Sequence, residues 1–122
     1  MSTEYFIRGS DNQIKLALTE DNLPISGEWI AVDIHIVSKV IHRDINEDGV
    51  SLDIPTGILM ITPGELTSEE QADIAELASN RNYRTYIVIT TTLNPNGAVF
   101  GGPGSNPLFF HISDKPLLVS PL

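Results

Sequence analysis

The stretch WIAVDIHIVSKVIH, Trp29 to His42, alternates: Ile30, Val32, Ile34 and Ile36 fall on one face of an extended chain, Asp33 and His35 on the other. Successive side chains of a strand point to opposite faces, so a period of two in β-branched residues marks a strand with one buried side. The run is longer than an ordinary strand of roughly 3–10 residues, and a bend, bulge or short turn is expected near Ser38-Lys39. The same alternation recurs before it, in NQIKLAL, where Ile14, Leu16 and Leu18 oppose Gln13, Lys15 and Ala17.

Other segments extend the pattern. EYFIRG (Glu4 to Gly9) reads as a short strand, DNLPISGE as a turn around Pro24 and Gly27, and GVSLDI and GILMIT as two strands separated by Pro55-Thr56-Gly57. Proline removes a donor there and glycine permits a left-handed turn. These pieces predict a β-meander. YRTYIVITTT is aromatic and β-branched throughout, NPNG (Asn94 to Gly97) turns it, and AVF and PLFFHIS supply the last strands around the loop GGPGSN.

One segment changes period. Thr67 and Glu70 form a T-x-x-E capping box, the first turn is acidic, and Ile74, Leu77 and Ala78 repeat at helical spacing. A helix of about three turns is predicted over 67–80, with Asn80 and Asn82 as candidates for its end. Seven to eight short strands and one helix in a connection predict a mainly β fold, an immunoglobulin-like β-sandwich, with a small barrel as the alternative.

The 122 residues suit one domain, and a 41% hydrophobic, 19% charged composition is that of a chain that folds. We place the sandwich at 1–114 and an extended, apolar arm at 115–122, whose Leu117, Leu118, Val119 and Leu122 are the candidate interaction residues. Lys and Arg number 7 against 16 Asp and Glu, a formal charge of −9, which repels nucleic-acid backbones and anionic membranes. The absence of cysteine removes disulfides, thiol nucleophiles and cysteine-based zinc sites. Without a basic leader or an apolar run of about 18 residues, the expectation is a soluble protein made in a cytoplasm.

HRDINEDGVSLDI, His42 to Ile54, resembles a calcium loop at first sight. Asp44, Asn46 and Asp48 take positions one, three and five of an EF-hand, Gly49 the sixth and the Val50 carbonyl the seventh. Position nine is then Leu52, and position twelve, where a bidentate carboxylate belongs, is Pro55. Asp48-Gly49 is also a hairpin signal. We therefore read a turn between two strands, with Asp44, Asn46 and Asp48 as a residual cation candidate and no metal or cofactor assigned.

The GGPGSN loop lacks the Lys-Ser/Thr of a phosphate-binding loop and no helix follows it, so a hairpin loop is expected. His35, His42 and His111 form no H-x-H or H-x-x-x-H pair and no nucleophile motif accompanies them, which makes them surface or interface histidines. Glu69, Asp73 and Glu76 read as a solvated helix flank that suits the N-terminal dipole. Nothing points to an enzyme.

The order of features carries a resemblance: strands around a DG turn, GILMITPGEL, a helix, NYRTYIVIT with Tyr83 opening the strand, then Asn94-Pro95-Asn96-Gly97-Ala98-Val99-Phe100-Gly101 and FFHIS. Over roughly Ile14 to Ser113 it resembles the small immunoglobulin-like sandwich proteins of tailed-phage virions, including the amino-terminal domain of the baseplate upper protein family. That resemblance implies attachment of a fibre or receptor-binding piece to the baseplate. Only about nine residues follow the last expected strand, so the expectation becomes a stand-alone virion part: a capsid decoration protein or a head–tail or tail component. It would be made in the host cytoplasm and contact major capsid, portal, adaptor or tail subunits, as a homo-oligomer on the particle. The alternative expectation is a sandwich that binds carbohydrate, on Trp29, Tyr83 or Tyr86, or calcium weakly, and serves adhesion.

Overall fold

The alternating segments become strands in a computed structural model that describes residues 2–20, 23–24, 28–44, 48–53, 55–101 and 107–114. The strands are β1 (Ser2–Arg8), β2 (Ile14–Ala17), β3 (Thr19–Glu20), β4 (Leu23–Pro24), β5 (Trp29–Ile36), β6 (Lys39–Arg43), β7 (Val50–Asp53), β8 (Ile58–Ile61), β9 (Arg81–Thr91), β10 (Ala98–Phe100) and β11 (Leu108–Asp114). One helix, α1 (Ser68–Ala75), follows a 3-10 turn at Pro63–Glu65.

A large sheet has the order β1-β11-β9-β5-β6, with β10 also on β9; a small sheet has the order β2-β8-β7, and β3 pairs with β4. The β1–β11 pair is parallel. A G-F-C-C′ sheet facing a B-E-D sheet is the immunoglobulin-like sandwich, here β11-β9-β5-β6 over β2-β8-β7. Between them lie Ile34, Ile36, Ile87, Ile89, Phe110 and Ile112 from the large sheet and Ile14, Leu16, Val50, Leu59 and Ile61 from the small one. Each such side chain contributes roughly 1.5–3 kcal/mol by leaving water, and both sheets must supply their apolar stripes for either to be covered.

That requirement is why the expected meander does not form. β5 and β6 make a hairpin in the large sheet, the chain crosses to the small sheet for β7 and β8, and β2 pairs with β8 from the other side. Between β6 and β7 the chain therefore passes from one sheet to the other. Asp48-Gly49 does turn, with φ of 36° and 83°, but it joins strands that do not pair, which corrects the hairpin reading. β10 and β11 likewise both pair with β9; the expected GGPGSN hairpin loop falls mainly on residues 102–106, which lie outside the described residues.

Two local departures matter for the surfaces. The long run Trp29–His42 is a hairpin whose turn is Val37-Ser38, with Val37 at φ 55°, an unfavourable region for a β-branched residue. Its amide is held by the Arg84 carbonyl at 3.2 Å. At the other end, the β5–β9 register shifts between Trp29 and Ala31. One extra residue reverses the facing of everything before it. Ile30, expected inside, is exposed, and Trp29 instead packs against the core.

The capping box forms in full, Thr67 accepting from the Glu70 amide at 3.2 Å and Glu70 from the Thr67 amide at 3.1 Å. α1 stops at Ala75, short of the predicted 80. Leu77 packs onto the core, Arg8 takes the Leu77 carbonyl at 2.8 Å, and Asn80, at φ 58°, donates to Ile112 to start β9. Tyr83 donates its hydroxyl to the Ala78 carbonyl at 3.1 Å and packs on the core. This is the corner by which sandwiches of this kind fix the entry to strand F. It removes Tyr83 from the candidate sugar platforms.

Candidate interaction surfaces

Alternation fixes which residues line the outer face of the large sheet. With Ile34, Ile87 and Phe110 inward, Asp33 and His35 of β5, Val40 and His42 of β6, Arg84, Tyr86 and Val88 of β9, Val99 of β10, Phe109 and His111 of β11 and Tyr5 of β1 face outward. All three histidines of the chain stand on this one face. His35 and His111 stand opposite the apolar stripe as their strand faces predict, His42, expected near a turn, lies on β6, and strand pairing, invisible in the sequence, brings the three together.

The side chains there interact across the strands. His35 stacks on Tyr86 with ring centroids 4.3 Å apart and planes 8° from parallel. Arg84 lies 5.7 Å from the Phe109 ring centroid, and His111 donates to the Asn82 side-chain oxygen at 2.7 Å beside Tyr5. Tyr5, Val40 and Val99 are 65%, 47% and 51% exposed. Among the described outward strand positions Asp33 is the one carboxylate, in a chain with 16. An acidic molecule thus presents one broad face that is aromatic, aliphatic and nearly free of acid.

His42 sits between two carboxylates: Nδ1 faces Asp33, and Nε2 faces Asp44 at 2.9 Å. A carboxylate only accepts, so both ring nitrogens donate and the imidazolium is favoured. Hydrogen bonding to Asp33, then to Asp44, raises the His42 pKa above its ordinary value. Of the cation candidates, Asp44 is therefore committed to His42, Asp48 lies on the crossing, and Asn46 is outside the described residues. No group of three or more His, Asp or Glu residues placed to hold a metal occurs among the described residues.

The crossing is held by an ion pair that the sequence did not announce. Arg43 is 6% exposed and pairs with both carboxylate oxygens of Glu70, whose side chain is 14% exposed; it also donates to the carbonyls of His42 (2.7 Å) and Asp48 (2.9 Å). Burial would raise the Glu70 pKa, but hydrogen bonds from Arg43 and Thr67 outweigh it and hold the carboxyl below its ordinary value. The capping box thus doubles as the anchor of α1 to β6. Glu69 and Asp73 are exposed on α1, as expected, whereas Glu76 lies just past its end, exposed but paired with Lys39.

Two of the clefts bordered by described residues combine apolar and charged groups. One of about 360 Å³ lies between β1 and α1, lined by Phe6, Leu66 and Ile74 and by Arg8, Gln71 and Asp114. Its polar groups are engaged with each other: Arg8 pairs with Asp114 at 2.8 Å, and Gln71 donates to the Leu66 carbonyl at 2.8 Å. The other, of about 290 Å³, lies between the sheets beside β6 and β7. Trp29, Val32, Val50, Leu52 and Leu59 line it, with Glu28 and Asp44 at its rim. The candidate arm residues Leu117, Leu118, Val119 and Leu122 lie outside the described residues.

No protein-family model matches the chain, and no curated protein sequence matches it. Among solved structures it is similar to the extracellular domain of the voltage-gated sodium channel beta4 subunit, described as parallel homodimers with a role in cell–cell adhesion. That likeness has a TM-score of 0.40 and 14% identity over 94% of this chain and 92% of the other, too distant to bear on function.

Proposed function

We propose that this chain is a non-enzymatic virion structural protein of a tailed phage, a capsid decoration or head–tail or tail assembly component, that works through protein–protein contacts. The observation that carries the contact role is the outer face of the large sheet. Tyr5, Val40 and Val99 are exposed there around Tyr86, Arg84 and Phe109, and Asp33 is the one carboxylate among the described outward strand positions. Aromatic residues and arginine at the centre of a patch depleted in carboxylates are the composition of an interface core. Its complement is an apolar surface with carboxylates to meet Arg84 and the histidines, offered by a neighbouring virion subunit. The phage context rests on the resemblance in feature order described above.

Replacing Val88 and Val99 by Glu tests the reading. Both sit on the outer face and Val99 is exposed, so the fold should survive while the face acquires charge. Mass spectrometry of purified particles is expected to find the unaltered protein and to lose the variant. Absence of the unaltered protein from particles made in its presence overturns the virion reading; equal incorporation of the variant overturns the role of this face.

A further inference from the structure

We infer that the inter-sheet cleft at Trp29 is a receptor for the segment Leu117–Leu122 of a second copy of this chain. This goes beyond the contact role proposed above, which uses the outer face of the large sheet, and adds a separate contact between copies of the chain. The cleft exists because the β5 bulge turns Trp29 inward, and because β6 pairs with β5 only from Val32 onward. Among the described residues no strand covers Trp29–Ala31 on the side away from β9, so backbone groups stand beside an apolar hollow. An extended segment can use both at once, the backbone for hydrogen bonds and the hollow for alternate side chains.

The segment has the matching chemistry. Leu117, Leu118, Val119 and Leu122 are apolar, Pro121 and the preceding Pro116 favour an extended chain, and the nearest charged side chain is Lys115, two residues before the segment. The cleft is lined by Trp29, Val32, Val50, Leu52 and Leu59 together with Glu28, Arg43 and Asp44; Arg43 is engaged with Glu70 and Asp44 with His42, so Glu28 is the acidic group offered to Lys115. The apolar hollow thus matches the apolar segment, and the Glu28 carboxylate matches Lys115 beside it.

Reach decides that the donor is another molecule. β11 ends beyond Arg81, and Trp29 lies opposite Thr91, so the two sites are separated by the whole of β9, about 33 Å at the strand rise, and by two to three strand spacings of about 4.8 Å. The direct distance is about 35 Å. From Asp114, Leu118 lies at most about 14 Å away and Leu122 about 28 Å, even when fully extended. The segment cannot seat itself in its own cleft. What lies within its own reach is the cleft beside Arg8, whose polar groups already pair with one another.

The test uses the full chain, in which Trp29 is the only tryptophan and reports directly on the cleft. Sedimentation and tryptophan emission are followed together over a dilution series. The expected result is association, with the emission shifting to the red as it is reversed. A peptide of Asp114–Leu122 in excess should dissociate the assembly yet keep the emission blue. Replacing both Leu117 and Leu118 by Asp, so that whichever faces inward is lost, should weaken association about a hundredfold. Glu28→Lys, at the exposed rim, should weaken it about three- to tenfold.

A wild-type chain that stays monomeric, association unchanged in the double variant, or emission indifferent to association would each overturn the inference. Emission that is blue at every concentration but red in the double variant would place the segment on its own molecule, and overturns it too. A red shift relieved by oligosaccharides and unaffected by the segment variants would make the cleft a sugar site instead. Particle incorporation separates this from the broader reading. Variants that are incorporated normally leave the virion role standing while the cleft inference falls. Cleft-dependent association of a protein absent from particles does the reverse.

Discussion

Removing the Arg43 guanidinium should cost more than any exposed charge in this molecule. Arg43 is 6% exposed and its partner Glu70 14%, so water replaces little of what is lost. In Arg43→Met, Glu70 keeps only the Thr67 hydrogen bonds to offset the burial that pushes its pKa up. Breaking one side of a buried pair costs about 3–5 kcal/mol, which for a domain of this size is a fall in Tm of about 10–15 °C. Arg43→Met combined with Glu70→Gln should be no worse than Arg43→Met alone, because the second change removes the orphaned charge while the amide oxygen still accepts from Thr67. The coupling between the two changes should be about 1–3 kcal/mol.

Urea unfolding of the four proteins, read by far-UV circular dichroism and Trp29 emission, measures each term. The sign with pH is also fixed. Glu70 is held below its ordinary pKa, so its contribution is present above about 4.5 and is lost as pH falls through the lower folded value. The gap between wild type and Arg43→Met should therefore close on acidification. A single-substitution cost below about 1 kcal/mol, or additivity of the two changes, would refute the anchoring role of this pair.

Other expectations are simpler. Gly49→Ala places a Cβ 2.8 Å from the Thr62 carbonyl at φ 83°, and should cost about 2–4 kcal/mol by thermal or urea unfolding. Tyr83→Phe loses the corner hydrogen bond to Ala78 and should cost about 1 kcal/mol without changing particle incorporation. His42, whose pKa is raised by Asp33 and Asp44, contributes stability in full below pH about 6.5, and loses it as pH rises through the higher folded value. Tm of the wild type should thus fall relative to His42→Gln above neutrality, and an unchanged difference across pH 5 to 9 (roughly two units either side of the unperturbed value) would contradict the pairing.

How much of this was legible depends on the range of the interaction. Local signals carried: the alternation in Trp29–His42 and Tyr83–Thr92, the Thr67–Glu70 box, the Pro55-Thr56-Gly57 turn and the turn chemistry of Asn94–Gly97 all appear where expected. Pairing did not. Nothing in the order of strands says that β2 meets β8 instead of β5, since that choice is made by the need to cover two apolar stripes at once. Trp29 shows the same limit at one residue: a strict period of two puts it outside, and a single bulge turns it in. Arg43 carries no local signal and Glu70 reads as half of a capping box, and only the packing of α1 beside β6 brings them together. Alternation within β9 alone could have flagged Arg84, Tyr86 and Val88 as one outward row, but not the histidines of three different strands that join it.

Incorporating the photoreactive residue benzoylphenylalanine in place of Tyr86, at the centre of the outer face, tests most directly whether that face makes the contact. In purified particles, irradiation should link position 86 to a neighbouring virion subunit, while the same residue at Glu69 on the exposed flank of α1 should link to nothing. Cross-links from position 69 with none from position 86 would contradict the account.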